Sequence, residues 1–221
     1  MHKTRTALIA GASGLVGSHL LRLLLQSERY SQVISVGRRE LPLIHPKLDQ
    51  QLVDFDDLKK YKAELVADDV FCCLGTTIKK AGSKEAFYKV DHTYVLRLAE
   101  ITLEKNATQF LVVSAMGADA GSMIFYNKVK GEMERDVQQL GFPTVHIFQP
   151  SLLLGEREEH RTGEEVGAML MKPLSRLMIG PLRKYKPILA ETVAKAMLQA
   201  AAKDQQWVHT YPSDQIQQLG T

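Results

Sequence analysis

The stretch TALIAGASGLVGSHLL, residues 6–21, passes from an apolar run to a helical pattern through a turn that contains Gly11, Gly14 and Gly17. Glycine allows tight turns and lets other atoms approach the main chain closely. The unpaired N–H groups at the start of a helix attract an anion. The spacing G-x-x-G-x-x-G differs from the G-x-G-x-x-G of the main dinucleotide fingerprint, and a plain strand-to-helix turn would also explain it. Its position in the first β–α unit favours a cradle for a pyrophosphate, to which Ser13 adds a hydroxyl.

Apolar, strand-like runs alternate with amphipathic helical patterns along most of the chain. The predicted strands span residues 6–11, 32–37, 51–55, 69–75, 109–115 and 144–150, and the predicted helices span 15–27, 84–105 and 124–140. Apolar strands separated by amphipathic helices indicate a parallel sheet that is covered on both faces. The sequence therefore predicts an α/β fold, a Rossmann-type doubly wound parallel sheet, in a single domain over residues 1–221.

The pattern changes after Pro150. Residues 151–190 show no clear period, and we expect an irregular substrate-side segment there, because ligands of such folds lie beyond the carboxyl ends of the strands. A further helix is predicted over 192–203, an extra edge strand over 207–212 and a short terminal helix over 213–220.

Composition and charge exclude several classes of protein. The chain has 221 residues, of which 45% are hydrophobic, and its net charge of +3 is scattered instead of forming a basic face for nucleic acid. No apolar run reaches the ~18 residues of a membrane span, and the N-terminus lacks the apolar region and cleavage site of a signal peptide. Cys72 and Cys73 are adjacent, which disfavours a disulfide and fits a reducing compartment. We therefore expect a cytoplasmic protein.

The histidines are dispersed without metal-ligand spacing, so no metal site is expected. Neither a P-loop nor the G-x-S-x-G turn of α/β-hydrolases occurs in the chain.

The residues after the second predicted strand indicate whether the cofactor is NAD or NADPH. An NAD site usually has Asp or Glu about 20 residues after the glycines. Here that position is Gly37, followed by Arg38 and Arg39. Two guanidinium groups suit a 2′-phosphate, which favours NADPH as the cofactor. Two solvated arginines in a loop are the alternative.

Two other predicted strand ends fit a cofactor groove. Asp54 follows the third strand, where its carboxylate could accept a hydrogen bond from the adenine amino group or cap the next turn. Leu74, Gly75 and Thr76 follow the fourth strand, where small residues allow a ribose to approach.

A serine, a tyrosine and a lysine form the candidate catalytic group. Ser114 ends the fifth predicted strand, and Tyr126 and Lys130 lie one turn apart on the next helix. A nearby ammonium lowers the pKa of a phenol. Tyr126 could then give a proton to a carbonyl oxygen held by Ser114, while Lys130 binds the nicotinamide ribose. The alternative is a lysine whose charged end reaches water along the helix flank.

The whole set of motifs resembles the atypical branch of the short-chain dehydrogenase/reductase superfamily. More narrowly, it resembles the family of the HIV Tat-interacting NADPH-binding protein and its bacterial oxidoreductase-like relatives. The motifs that carry the resemblance are GASGLVG (11–17), VGRR (36–39), FCCLGTT (71–77), VVSAMGAD (112–119), YNKVKGE (126–132) and FQPSLLLGEREEHRTGE (148–164). The resemblance implies a Rossmann fold with NADPH in its groove.

Residues can be carried over from that family one by one. The implied cofactor contacts are Ser13, Gly14, Leu15, Val16, Arg38, Arg39, Leu74 and Gly75, and Leu153 and Arg161 match a later loop that closes over the cofactor. Tyr126 and Lys130 match the catalytic pair and Ser114 the usual serine. Two positions depart from the pattern: Gln149 stands where relatives commonly have arginine, and Asp91 where many dehydrogenases have an asparagine of a proton relay.

Two functions from different classes follow from this pattern. The first is an NADPH-dependent reductase of a carbonyl or related small molecule. The second is an NADPH-binding regulator that docks on a protein partner with little or no turnover, since a fold and a cofactor site do not establish catalysis. A second copy of the chain is also open as a partner, whereas nucleic acid and a membrane span are not expected.

Overall fold

The computed structural model describes residues 4–155, 185–203 and 205–221, and nearly all of its strands belong to one parallel sheet. In chain order the strands are β1 (Arg5–Ala10), β2 (Tyr30–Gly37), β3 (Leu48–Leu52), β4 (Asp69–Cys72), β5 (Gln109–Val113), β6 (Thr144–Gln149), β7 (Leu153–Leu154), β8 (Ile188–Leu189) and β9 (Trp207–Pro212). Seven of them form the main sheet in the order β3-β2-β1-β4-β5-β6-β9, and β7 pairs with β8.

The helices cover both faces of this sheet. They are α1 (Leu15–Gln26), α2 (Ile78–Ala81), α3 (Lys84–Tyr88), α4 (Tyr94–Glu104), α5 (Phe125–Gln139), α6 (Ala190–Ala202) and α7 (Ser213–Leu219). The central strand β1 shows why the strands are apolar throughout: Leu8 and Ala10 pack into one core layer, and Ala7 and Ile9 pack into the other. The predicted doubly wound α/β fold in a single domain is confirmed.

The strand order places the carboxyl ends of β1 and β4 at the point where the chain changes direction across the sheet. Ligands of doubly wound folds bind in the crevice at this point. The glycine turn after β1, the arginines after β2 and Ser114 after β5 all lie at this same edge, because all the strands are parallel. The edge strand predicted over residues 207–212 is β9, which pairs with β6.

Two predicted elements differ from the structure. The third strand spans Leu48–Leu52 instead of 51–55, because the chain turns into a 3-10 helix, Phe55–Tyr61, directly after Asp54. The single helix predicted over 84–105 is divided into α3 and α4 by a π-helical turn, Lys89–Thr93. Wide turns of this kind inside helices are frequent at functional sites. The other predicted elements agree with the structure to within a few residues.

The segment after Pro150 is described only at its two ends. Leu153 and Leu154 pair with Ile188 and Leu189, and the Ile188 N–H donates to the Leu152 carbonyl at 2.9 Å. Residues 156–184, which include the predicted cofactor contact Arg161, lie outside the described residues.

Candidate active site

The glycine turn fits closely between β4 and the start of α1. Gly11 has a φ of +85°, and a Cβ added there would lie 2.6 Å from the carbonyl oxygen of Cys73. A Cβ on Gly17 would lie 2.1 Å from the Gly11 carbonyl oxygen, so α1 rests directly on the turn. Gly14 caps α1 without a side-chain hydrogen bond, and the first turn of the helix contains no acid. Its N–H groups and the positive end of its dipole therefore suit an anion.

Arg38 and Arg39 follow β2 at the same edge of the sheet, and both are exposed. Within the described part of the chain, neither guanidinium makes a hydrogen bond or an ion pair. They are therefore placed as cations that can meet an acidic group of a ligand. This observation fits the residues predicted for a 2′-phosphate.

Lys130 is the most unusual side chain of the site, because it is buried on the apolar side of α5. Its Nζ lies 2.7 Å from Asp91 Oδ1, and only 5% and 1% of the two side chains are exposed. The contact is an ion pair whose angle falls short of a directed hydrogen bond. Burial opposes the charge on Lys130, but Asp91 and Tyr126 outweigh it and raise the pKa of Lys130. The lysine therefore stays charged and does not reach bulk water.

Asp91 joins this pair to the loop after β4. Its Oδ2 accepts a hydrogen bond of 2.8 Å from the Thr76 N–H. A Cβ on Gly75 would lie 3.4 Å from Asp91 Oδ1 and 3.8 Å from Lys130 Nζ. The structure thus brings Gly75 and Thr76 together with Lys130. Asp91 lies in the π-helical turn that interrupts the predicted straight helix.

Tyr126 lies one turn before Lys130 on α5 and packs its ring against Phe87 at a centroid distance of 5.5 Å. Burial raises the pKa of Tyr126, although the charge on Lys130 acts in the opposite direction. Lys130 lowers the pKa of Tyr126, as predicted, but burial has the larger effect and the net shift is upward. The physical reason is that the phenol loses hydration and that the negative charge of Asp91 opposes that of a phenolate.

Ser114 directly follows β5, as predicted, but its hydroxyl has a partner that the sequence reasoning missed. It donates to Glu134 Oε1 on α5, and Gln149 Nε2 at the end of β6 donates to both oxygens of Glu134 at 3.0 Å. Glu134 is one turn after Lys130 on the same side of the helix. An acid at that position, next to an inward-facing lysine, was the available signal.

The remaining predicted contacts have mixed outcomes. Asp54 caps the following 3-10 helix by accepting from the Asp56 N–H at 2.9 Å, which is the alternative that the sequence left open. Leu153 lies in β7 and is partly buried. Burial raises the pKa of Cys72 to about 12 and also raises that of Cys73, so these thiols are packing residues instead of nucleophiles.

Two further observations concern other kinds of site. Across residues 4–155, 185–203 and 205–221, no three His, Cys, Asp or Glu side chains are gathered as metal ligands would be. In the same ranges, no helix combines the length and the apolar character that crossing a bilayer requires.

Residues 7–124 match the NAD dependent epimerase/dehydratase family. This range covers more than half of the 221 residues and contains the glycine turn, both arginines, Asp91 and Ser114. The chain belongs to this family. This family belongs to the NAD(P)-dependent oxidoreductase class of the short-chain dehydrogenase/reductase type that the motifs predicted.

Curated relatives extend the similarity beyond residue 124. Protein HTATIP2 of Rattus norvegicus is 39% identical over 166 residues, which cover 73% of this chain and 68% of HTATIP2. Protein FMP52, mitochondrial, of Eremothecium gossypii is 32% identical over 200 residues, 90% of this chain and 89% of FMP52. The predicted resemblance to the Tat-interacting protein family is confirmed.

The same comparison corrects the predicted location. The expectation of a cytoplasmic protein is wrong, because the FMP52 relatives, including that of Saccharomyces cerevisiae, are named as mitochondrial proteins. The reduced cysteines on which the expectation depended report redox state, and redox state does not distinguish one reducing compartment from another.

Among solved structures, the one described as MoeE5 in complex with UDP-glucose and NAD superposes with a TM-score of 0.71. It is 18% identical, and the match covers 93% of this chain and 75% of MoeE5. At this identity the similarity concerns the fold, which is again the Rossmann type.

Proposed function

We propose that this protein is an NADPH-dependent reductase of a carbonyl or related small molecule, with Ser114, Tyr126 and Lys130 at its active site. One observation carries the proposal: a charged lysine is kept buried by Asp91 one helical turn from a partly buried tyrosine. A buried ion pair is weak evidence for stability alone. Strongly perturbed titratable groups at the ligand edge of a fold are typical of active sites.

The residues present fit the cofactor. The uncapped start of α1 and the turn from Gly11 to Gly17 suit the diphosphate, and the unpaired Arg38 and Arg39 suit the 2′-phosphate. A side chain on Gly75 would approach Asp91 and Lys130, so glycine leaves room for a ribose beside them. Bound NADPH supplies a hydride for the carbonyl carbon of the substrate.

The protein groups handle the proton. Because burial raises the pKa of Tyr126, the phenol keeps its proton at neutral pH and can give it to the oxygen of a carbonyl. The charge on Lys130 stabilises the phenolate that is left, and Asp91 holds the ammonium in position. This protonation state favours the reduction direction.

The proposal is tested by adding NADPH and a panel of aldehydes, ketones and quinones to the pure protein and following loss of NADPH absorbance. Tyr126→Phe keeps the ring that packs on Phe87 but removes the proton, so turnover should fall by roughly 10²–10⁴-fold. Tyr94→Phe is the matched control, since the Tyr94 hydroxyl contacts Asp56 outside the site and its loss should leave turnover unchanged.

Tight NADPH binding without turnover on any substrate, or turnover that is indifferent to Tyr126→Phe, would contradict the reductase. Tight NADPH binding without turnover would favour the regulator that uses NADPH to dock on a protein partner.

A further inference from the structure

Glu134 is a buried carboxyl group with neutral hydrogen-bond partners. Its residue is 8% exposed, and its oxygens accept from the Ser114 hydroxyl and from Gln149 Nε2. Buried carboxylates are ordinarily paired with a cation. Here the nearest candidate in the same helix, Lys130, forms its ion pair with Asp91 instead.

Several neighbouring groups act on the protonation of Glu134. Burial raises the pKa of Glu134, whereas the hydrogen bonds from Ser114 and Gln149 and the charge on Lys130 oppose this effect. On the outer side of α5, Arg135 and Asp119 face the same surface depression as Glu134 and carry opposite charges. Gln149, on β6, brings no charge to the group.

An open depression on the surface of the protein includes Glu134 in its lining. Its volume is about 340 Å³, and its lining includes Glu134, Gly131 and Arg135 of α5 together with residues 118–120. A side chain on Gly131 would collide with Ala120 N at 2.1 Å, so glycine permits the loop to lie against the helix beside this depression. Solvent can therefore approach Glu134 through this depression.

We infer that Glu134 is a positioning residue whose protonation sets the direction of the Ser114 hydroxyl, so that Ser114 donates to the substrate only while Glu134 is protonated. As a carboxylate, Glu134 takes the hydrogen bond of Ser114, as in this structure. As an acid, it donates its own O–H to Ser114 Oγ, and the Ser114 hydrogen is free for a carbonyl oxygen. This inference rests on the proposed reductase function.

The first measurement is independent of turnover. The protein is labelled with ¹³C at glutamate carboxyl groups, saturated with NADP⁺ and titrated by NMR, and the Glu134 signal is assigned from its loss in Glu134→Gln. Its midpoint should lie above that of Glu100, an exposed residue of α4 whose signal is assigned from Glu100→Gln. Gln149→Arg places a cation beside the carboxyl group and should lower the Glu134 midpoint by roughly 1–3 pH units. A Glu134 midpoint equal to that of Glu100 would overturn the inference.

The second measurement is the pH profile of kcat/KM in the reduction direction. The rate should fall as pH rises through the Glu134 midpoint, and Gln149→Arg should move this limb to lower pH by the same interval as the NMR midpoint. Glu134→Gln should abolish the limb, because its amide N–H can donate to Ser114 Oγ at every pH while its oxygen accepts from Gln149. Glu100→Gln should leave the limb where it is.

The outcomes separate the two proposals. If turnover depends on Tyr126 but the alkaline limb is unchanged in Gln149→Arg and Glu134→Gln, the role of Glu134 is overturned. The proposed reductase function is then unaffected. Absence of any turnover dependent on Tyr126 overturns the reductase, and the role of Glu134 fails with it.

Discussion

Two pairs of arginines lie at opposite ends of the sheet and do different things. At the amino end, Arg5 and Arg29 both approach the carboxylate of Asp69, which is fully buried. Arg5 contacts Asp69 through two nitrogens at 2.6 and 3.0 Å, and the Tyr30 hydroxyl donates to the same carboxylate at 2.8 Å. At this end, positive and negative charge are matched within the fold.

At the carboxyl end, Arg38 and Arg39 are exposed, and the described residues offer them no acid or acceptor. The residue type is the same in both pairs, and strand β2 has Arg29 directly before it and Arg38 and Arg39 directly after it. An arginine pair that contacts a carboxylate within the fold contributes to stability. A pair left unmatched at the ligand edge of a Rossmann sheet is available to a ligand.

The largest expected effect tests the matched end. Asp69→Asn removes a fully buried carboxylate that two partly buried guanidinium groups approach, so the free energy of unfolding should fall by about 3–5 kcal/mol in urea denaturation. The affinity for NADPH should not change in the fraction of the protein that remains folded. Glu191→Gln, which breaks an exposed ion pair with Lys195 on α6, is the control and should have little effect. Equal losses from the two substitutions would contradict the structural role of the amino-end cluster.

A buried titratable side chain with only neutral hydrogen-bond partners gives the next largest effect. His146 in β6 contacts the Tyr211 hydroxyl and Gln109 Oε1, and burial lowers its pKa from 6.5 to about 4. Its neutral form therefore contributes stability that is fully present above the unfolded-state pKa of 6.5 and is lost as pH falls toward about 4. The loss from this one group should approach about 3 kcal/mol.

Urea denaturation at a series of pH values measures this contribution. His146→Gln should flatten the pH dependence of the free energy of unfolding across that interval, whereas His19→Gln on α1 should leave the wild-type slope. A wild-type slope retained in His146→Gln would assign the acid sensitivity to other groups.

The smallest expected effect tests the unmatched end. Replacing Arg38 and Arg39 together with alanine should weaken NADPH binding roughly 10- to 100-fold, the size of lost hydrogen bonds to a charged group. NADH lacks the 2′-phosphate, and its affinity should change little. Fluorescence titration with both nucleotides measures the two Kd values. Arg22→Ala on α1 removes an exposed cation of the same type as a control. Equal weakening of NADPH and NADH binding would contradict the assignment of Arg38 and Arg39 to the 2′-phosphate.

Local sequence pattern was sufficient for the elements and for the position of each motif on them. The turn at Gly11, the arginines after β2, Ser114 after β5 and the pair Tyr126–Lys130 on α5 all lie where the pattern predicts. These features depend on residues close together in the chain. The predicted helix boundaries were wrong at the π-helical turn, where Asp91 contacts residues that are distant in the sequence.

The positions of the candidate residues in the fold were predictable from the sequence, but their electrostatics were not. The sequence places Lys130 near Tyr126, and from this alone a lowered pKa of the phenol follows. The structure adds Asp91 and the burial of the ring, which reverse the net direction. It also adds Glu134, which accepts a hydrogen bond from the Ser114 hydroxyl and which the sequence reasoning missed.

The sequence by itself determined the alternation of strands and helices, the glycine turn and the order in which polar groups follow the strands, because each depends on short-range periodicity. Only the tertiary structure decided which polar side chains meet: Asp69 with Arg5, Asp91 with Lys130, and Ser114 with Glu134. The members of these pairs are 64, 39 and 20 residues apart. Each contact lies in a buried or partly buried part of the domain, and burial is set by the packing of the whole domain.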